Sequence, residues 1–287
     1  MTSKKGIIAL VLVNAFWGTS FPVIKTLMGM INPSLYATYR SLIAALMILP
    51  MLILYKGSNS LKDISKAIHA GILLGFLYFF GLLFQAWGMV YTEASSAAFI
   101  TSFNVPLVCL LEILFLKRKP SLRIIISMIL AMIGVILLTV SFGSLTISKG
   151  DLLVLACTLF WALQVIFIDV YSKVHEVLTL TFTQLLFSGL IGLGISTVLR
   201  SVEKLSMDAL FLLCYLALFC SVITCSLQIY GQRYTTSTQA AIIYTLEPVF
   251  ASLFSFFILH EVLSGVQYLG AMMILIATFL ASTYSAE

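Results

Sequence analysis

The chain has 287 residues, 61% of them hydrophobic and only 9% charged, with a mean hydropathy of +1.11. One soluble core could not bury that much apolar side chain, so the composition excludes a soluble domain and indicates a membrane protein. The net charge of +5 follows from the placement of basic residues in loops and asks for no nucleic-acid partner.

Apolar stretches of roughly 20 residues, each long enough as a helix to cross about 30 Å of hydrocarbon, fall at 6–28, 34–55, 68–91, 95–116, 121–141, 150–171, 178–199, 207–230, 236–259 and 263–283. None alternates with period two, which favours helices over a barrel. Lys4 and Lys5 ahead of the first stretch imitate a signal peptide. That stretch carries Asn14, Trp17 and Lys25 and lacks a small-x-small cleavage site, so it reads as a mature helix.

Within the first span Asn14, Trp17, Gly18 and Phe21 share one face at helical spacing, and a polar stripe of this kind is expected to face the protein interior. Arg40 in the second span lies close enough to the outer surface to snorkel, or to hold a substrate carboxylate. Lys25 reads as an interfacial charge. The third span offers Tyr78 and Gln85 on one side. The fourth has Asn104 beside Pro106, then Glu112, which is expected to reach water or pair with the Lys117-Arg118-Lys119 loop. In the sixth, Cys157, Trp161, Gln164 and Ile168 form a stripe, and Asp169 with Lys173 reads as an i,i+4 ion pair. The eighth offers Ser221, Thr224 and Gln228.

The ninth span places Tyr244 and Glu247 together, with Glu247 directly before Pro248 near the bilayer midplane. Pro248 removes a donor and clashes with the carbonyl of Tyr244, so a kink is expected there. A carboxylate at that depth is expected to take a proton or a cationic partner; Arg40 and Lys25 count as lying further out, which leaves the substrate or a polar side chain such as Gln85 or Gln228. Together these groups suggest a pocket with aromatic walls and amide, hydroxyl and carboxyl functions. Trp17, Trp161, Tyr78 and Tyr244 are expected to line it.

Cys109, Cys157, Cys214, Cys220 and Cys225 fall inside spans with no CxxC pair, His260-Glu261 does not extend to HExxH, and no GxxxxGK occurs. No metal, cofactor or ATP-driven step is therefore indicated. With the amino terminus in the cytoplasm, eleven basic residues lie on the cytoplasmic side against three outside, which fixes the orientation.

The halves repeat. Gln85 to Ala98 aligns with Gln228 to Ala241 at six of fourteen positions, where chance gives about one. Trp17 corresponds to Trp161, Pro106 to Pro248 and Ser121 to Ser264. Residues 1–145 and 146–287 thus form two five-helix repeats, and because five is odd the second enters from the opposite face.

The segments WGTSFPVIK (Trp17–Lys25), Arg40 after Pro33, and GQRYTTSTQAAIIYTLEPVFASLFSFFILHEVLS (Gly231–Ser264), with the Gly-rich closing helix, resemble the drug/metabolite transporter superfamily. The likeness is to its ten-helix EamA-type members and, among them, to the aromatic amino-acid exporters. Two positions depart from the family pattern: Lys117-Arg118-Lys119-Pro120 stands where an acidic residue is usual, and Trp161-Ala162 replaces Trp-Gly. The resemblance implies an all-helical bundle of ten spans around a central cavity, with the fifth and tenth peripheral, both termini cytoplasmic and the plasma (inner) membrane as its site. It implies a non-enzymatic protein whose partners are the bilayer and a small-molecule substrate; the oligomeric state, monomer or weak dimer, is left open by the sequence. The activity implied is export of metabolites such as amino acids, related zwitterions or organic cations. The alternative is a membrane-embedded enzyme for lipid or prenyl substrates, which would call for clustered acids or His/Asp pairs at a helix end.

Overall fold

In a computed structural model the chain is described at residues 4–56, 60–92, 94–139, 148–199, 203–259 and 264–283, and every regular element among them is helical. In order these are α1 (Lys4–Gly18), α2 (Ser20–Met28), α3 (Pro33–Lys56), α4 (Ser60–Tyr91), α5 (Ala94–Thr101), α6 (Asn104–Leu116), α7 (Leu122–Thr139), α8 (Lys149–Tyr171), α9 (Val177–Val198) and α10 (Met207–Ala217). A π-helical turn (Leu218–Ile223) leads into α11 (Thr224–Gln232), followed by α12 (Ser237–Tyr244), α13 (Glu247–Leu259) and α14 (Gly265–Ser282). Among the described residues eight continuous or nearly continuous stretches are long and apolar enough to cross a membrane, and Leu122–Leu138 is a shorter apolar helix. Glu261 and His260 lie outside the described residues.

The outer surface is apolar: Leu54, Val198, Phe211 and Phe279 are among the most exposed side chains. Buried polar groups such as Thr38, Ser41, Gln184 and Ser188 sit between helices instead. This inverts the pattern of a soluble protein and suits a bundle whose solvent is lipid.

Three spans are interrupted, and the interruptions share a local chemistry. Regular helix stops at Thr19, at Ser102–Phe103 and at Thr245–Leu246, each just ahead of a proline (Pro22, Pro106 and Pro248). Proline offers no N–H to the carbonyl one turn back and its ring crowds that carbonyl. The turn before it tightens to i→i+3 bonds: Thr19 N donates to Phe16 O at 3.2 Å, Phe103 N to Ile100 O at 3.1 Å, and Leu246 N to Ile243 O at 3.1 Å. A hydroxyl at each break binds a nearby carbonyl as well. Thr19 Oγ1 donates to Phe16 O at 2.7 Å, Ser102 Oγ to Ala98 O at 3.0 Å, and Thr245 Oγ1 to Ile242 O at 2.7 Å. Pro50 has only apolar residues in the turn before it, and α3 runs through it as one helix. The expected kink at Pro248 is thus a complete break, and Glu247 opens the new helix α13.

Glycines set the closest crossings. A Cβ on Gly150 would stand 2.6 Å from Gly88 O and 2.8 Å from Thr92 N, and a Cβ on Gly231 would meet Gly6 O at 2.8 Å. Gly88 and Gly231 are aligned in the repeat. Gly6 and Gly150 stand at the same offset before Trp17 and Trp161, so α8 crosses α4 as α1 crosses α11.

Candidate functional site

The three breaks deliver their residues to one cavity. It encloses about 780 Å³, mouth included, and its wall takes Ser20 and Phe21 from the first break, Thr101, Ser102 and Asn104 from the second, and Tyr244, Thr245 and Glu247 from the third. Unbroken helices complete it with Tyr78, Leu82 and Gln85 of α4, Trp161 and Gln164 of α8, Gln228 of α11 and Arg40 of α3. Trp17 lies over Tyr244 with ring centroids 5.3 Å apart, and Tyr78 meets Trp161 edge-on at 5.6 Å. Gly81 makes room for that second pair, since a Cβ there would touch the Trp161 ring at 2.9 Å. Aromatic pairs at these separations favour offset and edge contacts and hold one another rigid.

Of the residues that the sequence places on inward faces, Trp17, Phe21, Arg40, Tyr78, Gln85, Asn104, Trp161, Gln164, Gln228, Tyr244 and Glu247 line this cavity, whereas Asn14, Gly18, Cys157, Ile168, Ser221 and Thr224 do not. Asn14 is fully buried and donates from Nδ2 to Leu10 O at 2.7 Å. Its Nδ2 is taken by its own helix, the local bond that Asn side chains favour, while its buried Oδ1 has no partner among the described residues. The small polar residues Ser20, Thr101, Ser102 and Thr245 were not nominated. Their signal was a hydroxyl shortly before a proline.

Arg40 does not snorkel. It is 3% exposed, and its Nε donates to Ser221 Oγ at 2.8 Å, Nη1 to Tyr36 Oη at 2.5 Å and Nη2 to Cys220 O at 2.5 Å. Cys220 belongs to the π turn, whose wider winding frees carbonyls from the regular ladder, so the irregular turn and the buried guanidinium support each other. Ser221 Oγ also accepts from Tyr78 Oη at 2.8 Å. Among the described residues no carboxylate lies within ion-pair reach of Arg40, and Glu247 makes no hydrogen bond or ion pair. Asn104 Oδ1 and Gln164 Nε2 likewise have no partner. Glu247 sits in the first turn of α13, where the positive end of the helix dipole offsets part of the cost of a carboxylate.

The spans are tied together at their ends. Lys25 is not a free interfacial charge: Nζ donates to Met89 O at 2.8 Å and Thr92 O at 2.7 Å, satisfying the carboxyl end of α4. The position equivalent to Lys25 in the second repeat, eight residues past its tryptophan, is Asp169, and it meets an amino end. Asp169 accepts from Ser237 Oγ at 2.9 Å and Arg118 Nη1 at 2.5 Å, and pairs with Lys173 as the sequence predicts. Glu112 accepts from Thr238 N at 2.8 Å and from Thr238 Oγ1, and lies 3.5 Å from Arg118 Nη1. Opposite charges at equivalent positions thus each face the helix end whose dipole suits them. Lys117 closes α6 with φ 53°, the left-handed turn that brings Arg118 back over both acids.

The EamA-like transporter family model matches the chain twice, at residues 4–140 and 148–283. The chain belongs to the EamA-like transporter family. It is 35% identical to an uncharacterized transporter of Archaeoglobus fulgidus, over 96% of this chain and 85% of that one. It is 26% identical to the uncharacterized transporter YyaM of Bacillus subtilis, over 93% and 90%. A WAT1-related chloroplastic protein of Arabidopsis thaliana shares 25% identity over 93% of this chain and 67% of its own. A solved crystal structure with 12% identity superposes with a TM-score of 0.81 over 98% of this chain and 97% of that one, so the fold is shared. For an EamA-like chain the pair Trp161-Ala162 has a structural counterpart. Isoleucine, Ile166, stands where the first repeat has Pro22, and α8 runs unbroken where α1 and α2 are separate.

Proposed function

We propose that this EamA-like protein is a secondary transporter of small amphipathic metabolites, namely amino acids, related zwitterions or organic cations, acting chiefly in export across the plasma membrane. On this reading ten spans form two inverted five-helix repeats, residues 1–145 and 146–287, with both termini cytoplasmic. The observation that carries it is the convergence of three broken helices on one aromatic cavity that holds a buried Arg40 and an unpaired Glu247. Broken helices at the midplane present free backbone groups and half-helix ends to a substrate, and repeats of opposite topology can exchange conformations to open the site to one side and then the other. The paired crossings Gly6–Gly231 and Gly88–Gly150 support the inverted relation.

The substrate's apolar body packs between Trp17, Tyr244, Trp161 and Tyr78, while Gln85, Gln164 and Gln228 offer amide donors and acceptors. At the cytoplasmic end the Glu112–Arg118–Asp169 network joins α6, α8 and α12, and alternation requires it to part. The test is flux into sealed proteoliposomes by the purified protein, set beside chemical turnover in detergent. Flux without turnover is the expected result; conversion of a lipid or prenyl substrate without flux would replace transport by the enzymatic reading.

A further inference from the structure

We propose that the corner between α6 and α7 binds an anionic phospholipid, its phosphate between Lys117 and Lys119 and its acyl chains along Leu114 and Leu122. The site lies away from the cavity and goes beyond the transporter reading without resting on it. Residues 117–121 join the two helices without regular structure, and the first of them takes φ 53° and ψ 25°. Glycine is the usual residue in that left-handed turn at a helix end, because a side chain there crowds the backbone. A lysine gives the backbone no help at such a position; what it supplies is a charge.

The charges on the loop divide by direction. Arg118 turns onto Glu112 and Asp169, whereas Lys117 and Lys119 on either side of it are exposed and make no hydrogen bond or ion pair among the described residues. Arg123, in the first turn of α7, donates to Leu280 O at 2.9 Å and to Thr283 Oγ1. Both acceptors are neutral, so its charge is uncompensated too. No acidic residue occurs between Glu112 and Asp151 in the sequence, and Glu112 is already held by Arg118 and Thr238. Lys117, Lys119 and Arg123 thus leave one end of α6 and α7 positively charged, with no counter-ion among the described residues.

What lies beside those charges selects the partner. Leu114 and Phe115 before the loop, and Leu122 and Ile126 after it, are half exposed or more, on the outer surface that faces lipid in a bundle of this kind. A soluble acidic peptide or a nucleic acid would meet the ammonium groups and leave these side chains bare. A phospholipid covers both: lysine ammonium groups take a phosphate as point charges, and the acyl chains lie on apolar side chains a few residues away. A choline headgroup brings its own cation to the phosphate, so phosphatidylglycerol suits the corner better than phosphatidylcholine. In the proposed topology this end faces the cytoplasmic leaflet, whose anionic lipids attract basic residues near the surface.

The experiment is native mass spectrometry of the full-length protein in detergent, titrated with phosphatidylglycerol or with phosphatidylcholine of the same acyl chains. The first phosphatidylglycerol should bind about tenfold or more tightly than phosphatidylcholine. Lys117→Gln with Lys119→Gln should remove that preference. Lys62→Gln with Lys66→Gln, which takes the same charge from two exposed positions near the start of α4, should leave it. Lys117→Gly suits the left-handed turn better than lysine does, so it removes one charge without harm to folding and should lower the preference by itself.

Equal binding of the two lipids overturns the proposal. So does an equal loss in both double variants, which would mean that the whole basic face draws lipid without a site. Glycerophosphoglycerol, the same headgroup without its chains, should not compete; competition by it would reassign the corner to a soluble anion. None of these readings involves flux, so their failure leaves the transporter reading untouched.

Discussion

Asp169→Asn removes one charge from a site with no exposure to solvent. The carboxylate there holds Arg118 at 2.5 Å, Lys173 one turn on, and Ser237 Oγ at 2.9 Å. Removing one partner of a fully buried ion pair costs about 3–5 kcal/mol. Here the two cations are 42% and 43% exposed, so they regain water when released and the figure must be reduced; the asparagine oxygen also still accepts from Ser237. About 2 kcal/mol is a reasonable expectation. Arg118→Gln should cost less, about 1 kcal/mol, because Glu112 keeps both bonds to Thr238 and Asp169 keeps Lys173. Since the two residues touch, the double variant should lose less than the sum, with a coupling of about 1 kcal/mol. Thermal unfolding of the four proteins in one detergent measures this. An Asp169→Asn protein that melts with the unmodified chain, or a strictly additive double variant, would refute the idea that this network holds α6, α8 and α12 together.

Gly150→Ala should destabilise by about 1–3 kcal/mol, because its Cβ would meet backbone atoms of α4 that cannot yield. Gly194→Ala, with nothing within 4 Å of the new methyl, should stabilise α9 by about 0.5–1 kcal/mol in the same melting assay. Glu247→Gln should fold normally and lose either transport or its pH dependence in a flux series across pH; an unaltered pH profile would assign Glu247 to supporting the break at Pro248 instead. A cysteine at Asn32 should react with an impermeant thiol reagent only from outside the cell and one at Ser58, which lies outside the described residues, only from the cytoplasm. Labelling of both from one side would reject the ten-span topology.

Much of the cavity was legible in the sequence because its two signals are local. Helical spacing put Trp17 with Phe21 and Trp161 with Gln164 on single faces, and a proline marks each break. What escaped depended on neighbours in space. Counting along the second span gives a depth for Arg40 near the surface, but depth says nothing of what packs beside it, and its acceptor Cys220 O comes from a π turn that no periodicity announced. Lys25 was read as interfacial for the same reason, since its partners are carbonyls at the end of a helix over sixty residues on. Asn14 shared the right face, but its Nδ2 binds Leu10 O within its own helix and the side chain stays off the cavity wall. A single uninterrupted stripe through Asn14 and Phe21 also assumed a continuous helix, which the break at Thr19 removes.

The central claim is that solute crosses the membrane through the cavity at the three breaks. It is tested most directly by counterflow of L-phenylalanine in proteoliposomes, before and after treatment of a Ser102→Cys protein with a bulky thiol reagent. Ser102 lies on the cavity wall, whereas Leu114 is exposed on the apolar outer surface and serves as the control site. The account predicts that modification at Ser102→Cys abolishes counterflow, that excess L-phenylalanine slows the modification, and that modified Leu114→Cys protein keeps its flux. Full counterflow through a protein modified at Ser102→Cys would contradict it.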